Sequence, residues 1–148
     1  MSVEPLWRNN QQGVTVWIRE EIRRAIKVLD LSATELANTD LRDTFEALAT
    51  AFAEPGSQPL WERLKERTSI HDPNGWRRIR ALATGPVWLL VEDSQGRCGF
   101  AFRDASDLEL VLQETSGFVF YVTDPDLTYL ISFNDHDFLI ASGAVSIK

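Results

Sequence analysis

The first periodic stretch of the chain begins at Val14. Val14, Ile18, Ile22, Ala25, Ile26 and Leu29 recur at spacings of three and four, with Arg19, Glu20, Arg23, Arg24 and Lys27 between them. That spacing predicts a surface helix with one buried stripe, and Glu20 and Arg24 form an i,i+4 pair in the favourable order. Before it, residues 1–13 are polar and irregular, which predicts a lead-in arm pinned by Leu6 and Trp7. After a connection from Asp30 to Asn38, a second stripe of Leu41, Phe45, Leu48 and Phe52 predicts a helix capped by Thr39 or Asp40. Glu54-Pro55-Gly56 stops it. Leu60, Trp61 and Leu64 predict a third, shorter helix. Residues 69–75 (Ser-Ile-His-Asp-Pro-Asn-Gly) carry turn chemistry. A short fourth helix is predicted from Trp76 through Leu82, ending at Gly85-Pro86.

At Val87 the code changes. Val87 to Glu92 has the composition of a buried strand. Asp93-Ser94-Gln95-Gly96 is a turn, and Arg97 to Arg103 alternates, with Cys98, Phe100 and Phe102 on one face. Asp104 to Glu114 is helical again, with Ser106 as cap and Leu108, Val111 and Leu112 as stripe. Phe118 to Thr123 and Leu127 to Phe133 read as two strands around Asp124-Pro125-Asp126. The last segment reads either as a short helix, capped by Asp135 or Asp137 and closed by Gly143, or as one more strand; the helix is the expectation. Helices followed by strand–strand–helix–strand–strand predict an α+β domain. Its N-terminal helices are expected to pack on one face of an antiparallel sheet of about four strands in ββαββ order. One domain is expected over 1–148, with 1–85 mainly helical and 86–148 forming the sheet.

Composition narrows the class. Of the 148 residues, 44% are hydrophobic and 25% charged, which excludes a disordered, collagenous or coiled-coil chain. The single cysteine, Cys98, excludes an internal disulfide and a cysteine-based zinc site. No run of about 18 apolar residues is present, and the first residues form no apolar signal segment, so a cytoplasmic protein is expected. The net charge is −7, and its distribution matters more than its size. Residues 1–103 carry fourteen Lys/Arg and fourteen Asp/Glu; residues 104–148 carry Lys148 alone against eight acids. Such an acidic surface repels nucleic acid and anionic lipid and attracts basic proteins or cations. It also serves plain solubility.

Candidate chemistry is sparse. Asn134-Asp135-His136-Asp137 sets two carboxylates around a histidine, a combination suited to metal binding or acid–base work. Neighbours in an extended segment alternate sides, so the plain alternative is a polar turn that bonds its own backbone, and a third is a recognition loop. His71-Asp72 is read as part of a distant turn. No Gly-x-Ser-x-Gly elbow or phosphate-binding glycine motif occurs. Cys98 reads as a small core residue. Trp76-Arg77-Arg78-Ile79-Arg80 is the main basic patch, with its arginines expected in solvent or paired to acids. Of five tryptophans, Trp61, Trp76 and Trp88 read as core; Trp7 and Trp17 are less well explained, with core the expectation and an interface anchor the alternative.

Three classes compete: enzyme, nucleic-acid binder and protein-binding module. The first lacks a convergent site and the second has the wrong sign of charge. The stretch Phe120-Tyr121-Val122-Thr123-Asp124, followed by Tyr129-Leu130-Ile131 and Asn134-Asp135-His136-Asp137, resembles the small acidic immunity proteins of bacterial polymorphic and contact-dependent toxin systems. The resemblance covers about the last 60 residues. It implies binding without catalysis or cofactor: an acidic surface that covers the active site or substrate groove of a basic toxin, such as a nuclease. Charge nominates Asp104, Asp107, Glu109, Asp124, Asp126, Asp135 and Asp137, together with His136, as partner contacts. The alternatives are a metal-dependent or small-molecule enzyme centred on His136, and a structural or regulatory subunit using Trp7 and Trp17.

Overall fold

The structure is a computed structural model that describes residues 14–93, 96–115 and 117–147; the arm with Leu6 and Trp7 lies outside them. Helix α1, Val14–Leu29, is followed by strand β1, Ala33–Glu35, and helix α2, Asn38–Phe52. A 3-10 turn, Leu60–Glu62, leads to β2, Thr68–His71. A second 3-10 turn, Gly75–Arg78, runs into the one-turn helix α3, Ile79–Leu82. The remainder is β3, Val87–Asp93; β4, Gly96–Phe102; α4, Ala105–Glu114; β5, Phe120–Thr123; β6, Tyr129–Phe133; and β7, Phe138–Gly143.

The sheet corrects the expectation of about four strands in ββαββ order. Seven strands form one antiparallel sheet in the order β1-β4-β3-β5-β6-β7-β2. The two expected hairpins are its centre. The three additional strands are β1, drawn from the Asp30–Asn38 connection; β2, drawn from the expected turn around His71; and β7, where a short helix was expected. Because β1 and β2 come from the part expected to be mainly helical, both halves of the chain contribute to one sheet.

Helices cover both faces of the sheet rather than one. On the first face, Ile18, Ile22 and Ala25 of α1, Ile79 of α3 and Leu108 and Val111 of α4 pack on Leu89, Phe100, Val122, Ile131 and Leu139. On the second, Leu41, Phe45 and Leu48 of α2, with Leu60 and Leu64, pack on Leu90, Tyr121, Leu130 and Ile140. A strand covered on both sides has no polar face to show, which is why β5 and β6 are buried at every position. Cys98 lies in the first core. Gly99 lets α2 approach the second face: a Cβ there would lie 2.5 Å from Leu41 Cδ2.

Local chemistry differs from the expected capping. The cap of α4 is Asp104, whose Oδ1 accepts from the Asp107 N–H at 2.9 Å, not Ser106. The residue preceding α2 is Ala37, with no side-chain cap. Glu20 pairs with Arg23 rather than Arg24, and Arg23 also holds Glu35 of the edge strand β1 at 2.7 Å.

Candidate functional site

Strand direction decides where the eight nominated residues stand. The register pairs Val87↔Phe102 and Trp88↔Thr123 put the ends of β4 and β5 at one end of the sheet. Asp124 follows β5 directly, and Asp104 follows β4 after Arg103. Phe120↔Phe133, Phe133↔Leu139 and His71↔Phe138 put residues 134–137 and the end of β2 at the opposite end. The two groups are thus separated by the length of β6, on the order of 15 Å at about 3.3 Å per residue.

At the first end, the carboxylates are occupied by the fold. Asp107 is buried and takes both Nε and Nη2 of Arg103 at 3.2 Å. Asp104 caps α4. Glu109 faces Arg80 at 3.8 Å. Asp124 accepts the Thr128 N–H at 2.7 Å and the Thr128 hydroxyl at 2.6 Å, which closes the β5–β6 turn. Asp126 alone of this group is exposed and has no partner among the described residues.

The opposite end is built differently. Asn134 is buried, and its Oδ1 accepts from the N–H groups of His136 at 3.0 Å and Phe138 at 3.1 Å. Asp137 sits at φ 65°, a left-handed conformation that Asp tolerates. The turn is therefore organised by Asn134, which leaves Asp135 and His136 facing water. Their side chains are each 69% exposed and 3.7 Å apart. The plain reading of this segment as a self-bonded turn holds for Asn134 and not for Asp135.

Next to this turn stand residues that sequence reasoning assigned elsewhere. Trp61 is half-buried; its ring centroid is 6.4 Å from that of His136, and its backbone N–H donates to the Tyr121 hydroxyl at 3.3 Å. Phe45 meets Tyr121 edge-on at 6.1 Å. The Arg97 guanidinium lies 5.3 Å over Phe45 and pairs with Glu92. On β2, His71 packs at 4.9 Å against Phe138, an exposed large apolar side chain. Both histidines of the chain thus reach the same end of the sheet, because β2 pairs with β7. The signal was the alternation in Thr68-Ser69-Ile70-His71, masked by the turn residues that follow it.

Asp72 lies beside this end, its N–H donating to the Asp137 carbonyl at 2.9 Å. Arg78, at 2.8 Å, and the Asn74 N–H hold its carboxyl below the usual carboxylate range. Among the described residues, no group of three or more His, Cys, Asp or Glu side chains is arranged to hold a metal ion. No described helix is long and apolar enough to cross a membrane. Comparison with known protein families, curated proteins and solved structures finds no match to this chain.

Proposed function

We propose that this chain is a non-catalytic protein-binding module of the immunity type, which binds and neutralises a basic toxin. One observation carries the reading. At the β6–β7 end, Asp135 and His136 stand exposed beside half-buried Trp61 and exposed Phe138. Aromatic anchors ringed by polar and charged groups are the anatomy of a protein-binding hot spot. Asp135 is 69% exposed and faces only the neighbouring His136 at 3.7 Å, whereas Asp104, Asp107 and Asp124 accept hydrogen bonds from internal donors. The partner contact accordingly centres on Asp135, His136 and Asp137, and the net charge of −7 raises the encounter rate with a basic partner.

The test is capture of the partner by the tagged chain from cells that make it, comparing two variants. Asp135→Lys with His136→Ala should release a basic protein that the unaltered chain retains at low salt. Asp126→Lys, at the other end of the sheet, should retain it. Equal retention by both variants would overturn the assignment of this surface. A retained protein that is neither basic nor salt-sensitive would overturn the electrostatic reading.

A further inference from the structure

The basic segment Trp76-Arg77-Arg78-Ile79-Arg80 is not used by the surface described above. Two of its arginines are committed: Arg78 to Asp72 at 2.8 Å and Arg80 to Glu109 at 3.8 Å. Arg77 has no carboxylate partner among the described residues. Its guanidinium lies 4.8 Å from the centroid of the Trp76 ring, a stack that fixes the direction of the cation without neutralising it.

Arg77 borders a groove of about 670 Å³ between its own helical segment and residues 144–147. Arg78 flanks the same groove, and Ala81, Leu82, Val145 and Ile147 give it an apolar lining. The far wall is tied down at both ends. Ala144 N–H donates to the Thr128 carbonyl at 2.9 Å, and Ile147 N–H donates to the Thr68 hydroxyl oxygen at 2.9 Å. Among the described residues no acidic side chain lines it, in a chain that carries seven excess negative charges. A groove of this volume falls in the range of small-molecule sites, about 300–1,000 Å³.

We propose that this groove binds a single-headed anionic amphiphile, a medium-chain fatty carboxylate. Its head pairs with the planar fork of Arg77, which matches a carboxylate bidentately. Its chain lies along Ala81, Leu82, Val145 and Ile147. A bare anion is a poor fit, because an exposed ion pair alone contributes little. A nucleic acid is a poor fit because the neighbouring arginines are already engaged and the rest of the chain repels phosphate.

Titration calorimetry on the full chain tests this, with decanoate below its micelle concentration, decanol, acetate and a single-stranded RNA oligonucleotide as probes. Saturable binding of decanoate is expected, with no saturation by acetate or decanol over the same range. Arg77→Gln, at an exposed position, should weaken decanoate at least tenfold. Ala81→Glu, which places a carboxylate in the groove at an exposed position, should abolish binding, with the melting curve confirming that the chain stays folded. Absence of decanoate binding, equal affinity of Arg77→Gln, or binding of acetate or decanol as tight as that of decanoate would each overturn the proposal. RNA that binds and displaces decanoate would replace the ligand class.

Discussion

Asn134 is the residue on which the candidate surface turns, and the carboxylates around it draw attention away from it. A buried amide oxygen that accepts two backbone N–H groups fixes the reversal between β6 and β7. It also sets the direction in which Asp135 and His136 leave the sheet. Removing that oxygen strands two donors in a partly buried turn, a loss of about 1–3 kcal/mol. Asn134→Ala should therefore lower stability by that amount in urea denaturation, and Asn134→Asp, which keeps an acceptor oxygen, should recover part of it. Equal stability of Asn134→Ala and the unaltered chain would show that the turn is held from elsewhere. Asp135→Ala, at a 69% exposed side chain, should be near neutral for folding, so that any loss of partner binding there is a loss of contact.

At the scale of elements, the long helices α1, α2 and α4 and the central hairpins were legible because each repeats a period long enough to read. The α1 stripe and the Val87–Arg103 hairpin are examples. The expected third helix, by contrast, is only the 3-10 turn Leu60–Glu62, and the expected fourth is a 3-10 turn with one α turn. The edge strands were not legible either. β1 is three residues long and gains its place from pairing with β4 and from Arg23 and Arg19 on Glu35, none of which a local window contains. β2 ends against Asp72-Pro73, whose turn chemistry outweighs four alternating residues. β7 is apolar at Leu139, Ile140 and Ala141 because both its faces are covered, so strand and helix periods cannot be told apart there. The candidate site inherits this: Asp135 and His136 were visible, but their neighbours His71 and Trp61 depend on the β2–β7 pairing and on the path of residues 54–65. The contact between α2 and the sheet gives a prediction at this scale. A methyl at position 99 would meet Leu41 Cδ2 at 2.5 Å and Leu36 Cδ1 and Leu90 Cδ2 at 3.1 Å. Overpacking of this kind costs about 1–3 kcal/mol. Gly99→Ala should lower the denaturation midpoint accordingly, and combining it with Leu41→Ala should cost less than the two separate losses together. Simple additivity would mean that α2 does not rest on Gly99.

For the molecule as a whole, the decisive feature is that the sheet has two cores, and the two tyrosines of the chain report on one each. Tyr121 lies in the core under α2 and Tyr129 in the core under α1, α3 and α4. Burial pushes the Tyr121 hydroxyl well above its ordinary value of 10, and the Trp61 N–H only partly offsets this. Burial, with the nearby Asp124 charge, pushes Tyr129 up to about 12. The sign follows from linkage. An unfolded chain gives up both phenolic protons near pH 10, while the folded chain keeps them to about 12 and beyond. This contribution to stability is complete below pH 10 and is lost as pH rises through the folded values. Tryptophan does not ionise, so before unfolding sets in the change in absorbance at 295 nm follows these two groups. The folded protein should show no phenolate at pH 10, and both groups should then appear at higher pH, together with alkaline unfolding. If one tyrosine titrated near 10 while circular dichroism remained native, one face of the sheet would be open to water. Tyr121→Phe and Tyr129→Phe would identify which layer is missing, and a loss at Tyr121 would also remove the support of Trp61 beside His136.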